Sequence, residues 1–92
     1  MEIITVCGMG FGTSLMLKMT VDDILGEQGV KANVNALDVG SAKGKQADLI
    51  MASQDLERSL NSVEIKKVFI KNLTDTEEIK DKLLKALDEI NG

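Results

Sequence analysis

Ninety-two residues suffice for one small domain, expected to span 1–92, with a single core. A net charge of -4 argues against a nucleic-acid binder, and 43% apolar residues with two Phe and neither Trp nor Tyr leave Leu, Ile, Val, Met and Ala to build that core. One cysteine excludes an internal disulfide, and without histidine the usual zinc ligands and the base of Cys-His catalysis are missing, so no metal or other cofactor is expected.

The chain opens on Met1-Glu2-Ile3-Ile4-Thr5-Val6, acidic at once and too short in apolar run for a signal peptide or a membrane span. A reducing cytoplasm is the expected compartment. Glu2–Cys7 reads as a short strand of β-branched residues, and a glycine-rich loop follows it. From Ser14 to about Gln28, Leu17, Val21, Ile24 and Leu25 recur at helical spacing, and Gly29 stops the helix. Lys31–Leu37 alternates polar and apolar residues as a less covered strand would, and Val39–Gln46 is a loop or one short helical turn. Ala47–Ala52, apolar apart from Asp48, is a run of strand length, as in a central parallel strand. Residues 53–62 suit a short helix with Ser53 as its cap, and Lys66–Lys71 is a fourth strand. Thr74-Asp75-Thr76-Glu77 spells a capping box. Ile79, Leu83, Leu84, Leu87 and Ile90 then form one apolar stripe, leaving Lys80, Lys82 and Lys85 to water.

This alternation predicts an α/β fold of three layers: a four-stranded parallel sheet with helices on both faces, joined by right-handed crossovers in the flavodoxin-like manner. Ligands of such sheets sit beyond the carboxyl ends of the strands, beside a topological switch point, and the loop after the first strand falls there.

That loop, Cys7-Gly8-Met9-Gly10-Phe11-Gly12-Thr13-Ser14, holds the only thiol and three of the eight glycines. It fails the dinucleotide fingerprint, whose third glycine would stand at Thr13, and the acid expected to hold a ribose is met only loosely by Asp38. It fails the Walker pattern too, because Gly12-Thr13-Ser14 supplies no lysine. A loop wrapped around a single phosphoryl group on Cys7 fits better. Glycines let the main chain approach an anion, the first amides of a helix point at it, and Thr13 and Ser14 add hydroxyl donors. The same field lowers a thiol from its ordinary value of about 8.5 and raises the thiolate fraction at neutral pH. The competing reading is a lone packed cysteine, a small hydrophobe. Its place at a strand end and the glycines after it favour the anion site. A redox role has no resolving partner cysteine in the chain.

Cysteine-dependent phosphatases and arsenate reductases carry Cys-x5-Arg, and the arginine position here is Thr13, which cannot clamp two phosphoryl oxygens. Asp55 and Asp75 follow strands near the right edge for a general acid, but each has an easier reading in a helix first turn or cap. Holding a phosphoryl group without hydrolysing it suits a carrier.

The run Cys7 to Val21, with Gly8, Gly10, Gly12, Thr13-Ser14 and Lys18-Met19, resembles the IIB components of the bacterial sugar phosphotransferase system (PTS). It looks most like the L-ascorbate type, with the galactitol and lactose/cellobiose types looser matches. The resemblance implies a protein-phosphocysteine–sugar phosphotransferase. In it Cys7 is the phosphocysteine nucleophile, and Gly8, Met9, Gly10, Phe11, Gly12, Thr13 and Ser14 form the phosphate cradle. It further implies a phosphohistidine donor on a IIA protein and a sugar acceptor held by a membrane IIC protein, with no membrane insertion of this chain itself. Met9 departs from the polar residue expected in many ascorbate-type relatives. Met9, Phe11, Leu15 and Met16 form an apolar, methionine-rich collar suited to transient partners. Lys18, Lys43 and Lys45 could add positive potential, and Asp38 could shape the rim, against the plainer readings of solvated lysines and a loop-capping carboxylate. Two alternatives keep different chemistry or a different acceptor: a low-molecular-weight phosphatase or arsenate-reductase relative, and a IIB-like regulatory module.

Overall fold

The computed structural model describes the backbone of residues 1–6 and 11–91 and the side chains of 1–6 and 15–90. Its elements are β1 (Glu2–Val6), α1 (Phe11–Gln28), β2 (Asn33–Leu37), α2 (Val39–Lys43), β3 (Leu49–Ser53), a 3-10 turn (Gln54–Leu56), β4 (Lys67–Ile70) and α3 (Thr76–Asn91). The strands form one parallel sheet in the order β2-β1-β3-β4. The chain therefore reverses its direction of travel between β1 and β3. That is the switch point, and β1 ends beside it.

Central strands covered on both faces need apolar residues throughout, and β1 and β3 have them. Ile3, Ile4, Val6 and all of Leu49–Ala52 are at most 1% exposed. Alternation splits these residues into two cores. Ile3, Leu49 and Met51 join Leu17, Val21, Ile24 and Leu25 of α1 and Ile79, Leu83, Ala86 and Leu87 of α3 on one face. Ile4, Val6, Ile50 and Ala52 join Ala42, Leu56 and Leu60 on the other. Helical cover lies on both faces as expected, but the second is thin: a five-residue helix and a 3-10 turn.

The expected helix over 53–62 is thus corrected to that turn and the bonded turns after it, Leu60 N–H to Leu56 C=O and Val63 N–H to Leu60 C=O. Leu56 and Leu60 anchor the segment, while its Ser and Asn residues favour turns over helix. Ser53 ends β3 and its side chain makes no capping bond, so the cap expected of it is absent. α1 begins three residues before the expected Ser14, since Gly12 and Thr13 cost little in a first turn that lacks intrahelical bonds anyway. Its other end closes on Gly29, the left-handed residue at φ 68, with Gly29 N–H donating to Gly26 C=O and Val30 N–H to Leu25 C=O at 3.0 Å. Those are the two bonds of a Schellman stop.

The cap of α3 is displaced by one residue from the expected box. Asp75 Oδ1 accepts from Glu78 N–H at 3.2 Å, and Thr74 instead donates to Asn72 Oδ1. Glu78 reaches past the cap: its carboxylate accepts from Lys71 N–H at 2.8 Å and Asn72 N–H at 3.0 Å. Lys82, expected in water, is half-buried and donates to both Glu78 at 2.8 Å and Phe69 C=O at 2.7 Å. The bond from Ile50 N–H to Lys66 C=O fixes the alternation of β4, so the peptide groups of Phe69 and Lys71 face away from β3. Side chains of α3 thus satisfy polar groups on the open side of the sheet. The hydrogen bond from Lys82, followed by those from Lys71 and Asn72, lowers the Glu78 carboxyl to about 2.

Candidate functional site

The carboxyl end of the sheet brings together the ends of β1 and β3 and the start of α1. Val6 is fully buried opposite Ala52, and Cys7 is its covalent neighbour. Cys7, Gly8, Met9 and Gly10 lie outside the described residues, as do the side chains of Phe11, Gly12, Thr13 and Ser14. The backbone of these last four forms the first turn of α1. Helix geometry leaves the amides of such a turn without intrahelical acceptors, and the macrodipole of 18 aligned residues favours negative charge there. No acidic residue stands in that turn to compete with an incoming anion.

The side groups weighed as helpers are mostly engaged elsewhere. Lys18 donates to Asp22 at 2.7 Å, and the two line, with Glu2, Asn33 and Asn35, a cavity of about 440 Å³ on the β2 side. Asp38 caps α2, with Ser41 N–H donating to its Oδ1 at 3.1 Å. Hydrogen bonds from the Ser41 side chain and backbone hold its carboxyl below the ordinary range. The loop-capping reading of Asp38 is therefore the observed one. Asp55 lies in the 3-10 turn and Asp75 is the α3 cap, so both occupy the structural roles weighed for them. Lys43 and Lys45 are solvent-exposed around the end of α2.

Of the collar, Leu15 and Met16 are described, and both stand in solvent at 51% and 43% exposure. Met19, which the sequence did not single out for the collar, is 61% exposed. Positions 15, 16 and 19 share one side of α1 through i,i+3 and i,i+4 neighbours. The opposite side supplies Leu17, Val21, Ile24 and Leu25 to the core, so the first half of α1 is apolar on both sides. The signal was in the sequence, as apolar residues in excess of one stripe. A second residue missed is Ser53. It is 6% exposed, and its hydroxyl has no hydrogen-bond partner among the described residues. Among those residues no three His, Cys, Asp or Glu side chains gather to hold a metal ion, and no helix is long and apolar enough to cross a membrane.

A parallel four-stranded α/β sheet with an 18-residue helix starting after β1 beside its switch point defines the doubly wound class of α/β proteins, whose ligands sit at the carboxyl ends of the strands. Residues 2–85 match the family model described as "PTS system, Lactose/Cellobiose specific IIB subunit", and the chain belongs to the family of PTS IIB components. Within it, the chain is similar to the ascorbate-specific PTS system EIIB component of Mycoplasma pneumoniae, 41% identical over 95% of both chains. It is also similar to the ascorbate-specific PTS system EIIB component of Escherichia coli O157:H7, 32% identical over 96% of this chain and 90% of that one. Among solved structures, the lactose-specific IIB domain of Streptococcus pneumoniae superposes with a TM-score of 0.66 at 18% identity, covering 99% of this chain and 94% of that one. A low-molecular-weight protein tyrosine phosphatase of Bacillus subtilis gives the same TM-score at 15% identity, covering 100% of each. These two likenesses concern the fold.

Proposed function

We propose that this chain carries a phosphoryl group on Cys7 during sugar import. It takes the group from the phosphohistidine of a IIA protein and gives it to a sugar, L-ascorbate by the relatives' names, held by a membrane IIC protein. It acts from the cytoplasm, meeting the inner face of the membrane through IIC. What supports this reading is the place of Cys7 in the chain: it is the next residue after β1, which ends beside the switch point, and four residues later an 18-residue helix begins with no acid in its first turn.

The Cys7 thiolate attacks the phosphorus of the donor in line. The S–P bond forms as the N–P bond breaks, and its electron pair returns to the imidazole nitrogen of the donor. The amides of Gly8 to Ser14 and the hydroxyls of Thr13 and Ser14 balance the charge on the phosphoryl oxygens. In the second step the sugar hydroxyl oxygen bonds to phosphorus, the S–P pair returns to sulfur as thiolate, and the hydroxyl proton passes to a base contributed by IIC. Leu15 and Met16, with Met9 and Phe11, form the apolar face on which both partners dock in turn.

The fold likeness to a low-molecular-weight tyrosine phosphatase keeps a hydrolase as second reading, and Thr13 in the arginine position opposes it. Incubation with the general PTS proteins, a cognate IIA protein and phosphoenolpyruvate, followed by intact mass, separates the two. One added phosphate on the wild type and none on Cys7→Ser is the expected result. Turnover of phenyl phosphate without those proteins, or no mass gain at all, would overturn the assignment.

A further inference from the structure

Ser53 is the last residue of β3, 6% exposed, and its Oγ has no hydrogen-bond partner among the described residues. Buried hydroxyls are nearly always paired, because burial removes the water that would otherwise satisfy them. The two local explanations fail here. Ser53 stands at the N-cap position of the 3-10 turn yet makes no side-chain bond to it, and it sits in a sheet whose own ladder leaves its hydroxyl unused.

Its direction follows from the strand. Leu49 and Met51 point into the core shared with α1 and α3, Ile50 and Ala52 into the other, so Ser53 points to the α1 side. This is the carboxyl end of the sheet, where α1 begins at Phe11. The neighbouring strand gives the remaining coordinate. Ala52 is paired with Val6, Ser53 is the covalent neighbour of Ala52, and Cys7 is the covalent neighbour of Val6. A helix start that favours anions and an unpartnered buried hydroxyl thus stand at the strand end that Cys7 follows in the sequence.

We propose that the Ser53 hydroxyl donates a hydrogen bond to the anion carried at Cys7, first the thiolate and then a phosphoryl oxygen. The inference rests on the reading of Cys7 given above. It adds to the loop donors a binding group from a different strand, held on a rigid element. Oγ donates its proton to the anion, and the lone pairs of sulfur or of a phosphoryl oxygen accept it; no covalent bond changes. An orphan hydroxyl in the resting fold is then a group kept ready for a charge that comes and goes.

The test uses the full chain and three variants, Ser53→Ala, Ser53→Thr and Ser53→Val, the last two alike in shape and differing in the hydroxyl. Iodoacetamide alkylation of Cys7 against pH reads the thiolate, phosphate acceptance from phosphorylated IIA reads the transfer, and thermal melting reads the fold. Loss of a hydrogen bond to a charged group predicts a roughly tenfold to hundredfold slower phosphate acceptance in Ser53→Ala and Ser53→Val. The alkylation midpoint in both moves up by about one pH unit, a tenfold loss of thiolate. Ser53→Thr keeps both within about threefold of wild type by retaining the donor. Ser53→Ala melts no lower than wild type, since it removes an unsatisfied buried group. Equal alkylation profiles and equal transfer rates in wild type and Ser53→Ala would overturn the proposal, as would identical behaviour of the Thr and Val variants. A wild type that accepts no phosphate defeats the function proposed for Cys7, and the alkylation profiles then decide Ser53 by themselves.

Discussion

Replacing Leu15, Met16 and Met19 together with glutamine tests the outer side of α1 while sparing the core. These side chains are 51%, 43% and 61% exposed, so roughly half of each remains to be covered by a partner. Full burial of a Leu or Met side chain contributes roughly 1.5–3 kcal/mol, so half leaves about 1 kcal/mol each and about 3 kcal/mol for the three. Ordering the flexible methionines takes back part of that. At about 1.4 kcal/mol per factor of ten, the triple variant should bind its phosphate donor roughly tenfold to hundredfold more weakly. Gln shares the helix propensity of Leu and Met, and exposed substitutions each change stability within roughly 0.5 kcal/mol, so the three together should move the melting midpoint by no more than about 10 °C. The assay is the rate of phosphate transfer from IIA at sub-saturating concentration, with IIA affinity by calorimetry and the melting curve alongside. Unchanged transfer from IIA, and unchanged delivery to sugar on IIC, would refute the assignment of this side of the helix to docking.

Gly29→Ala should lower stability by roughly 1–2 kcal/mol, the cost of a left-handed backbone for an L-residue, because a Cβ there meets nothing within 4 Å and φ 68 is the only obstacle. Chemical denaturation should show a lower midpoint with an unchanged slope; an unaltered midpoint would mean the Schellman stop carries no strain for alanine. Glu78 gives a pH test. Its folded value, about 2, lies below its ordinary 4.5, so the stability it contributes is fully present above about pH 4.5 and is lost as pH falls through about 2. Glu78→Gln should therefore melt below wild type at pH 7, and the gap should narrow below about pH 4.5 and close only once the pH is below about 2. A gap constant from pH 7 to pH 2 would refute the ionic bonds to Lys82 and the Lys71 and Asn72 amides.

How far the sequence carried these conclusions depended on the range of the interactions involved. The strands β1 and β3, the inner stripe of α1 and the stripe of α3 are local periodicities, and each was legible. So was the passage from β1 to α1 beside the switch point, since crossover handedness and chain order fix it once four strands are found. The cap of α3 was misread by one residue because Thr74 and Asp75 are both good caps, and the choice fell to Glu78, whose carboxylate is drawn to amides on the preceding loop. Lys82 was assigned to water because nothing local reveals that Phe69 offers a carbonyl thirteen residues away. Ser53 was taken for a helix cap for a similar reason: a serine between an apolar run and a polar one spells a cap, and the brevity of the turn that follows is decided by tertiary packing. The outer apolar residues of α1 needed only a count of both sides of the helix. Leu15 and Met16 were found through the loop, and Met19 was passed over because it lies one turn further on.

The bonds from α3 to Phe69 and Lys71 bear on what happens when many copies crowd together. An uncovered border strand offers its backbone as a template to a neighbour, and continuous growth of stacked sheets needs two such borders on every molecule. Here Lys82 from the same chain already takes Phe69 C=O on β4, a strand of only four residues, and Glu78 takes the N–H of Lys71 just beyond it. A stray strand therefore meets less free backbone along the β4 border than an open edge would offer, which disfavours strand-to-strand addition there.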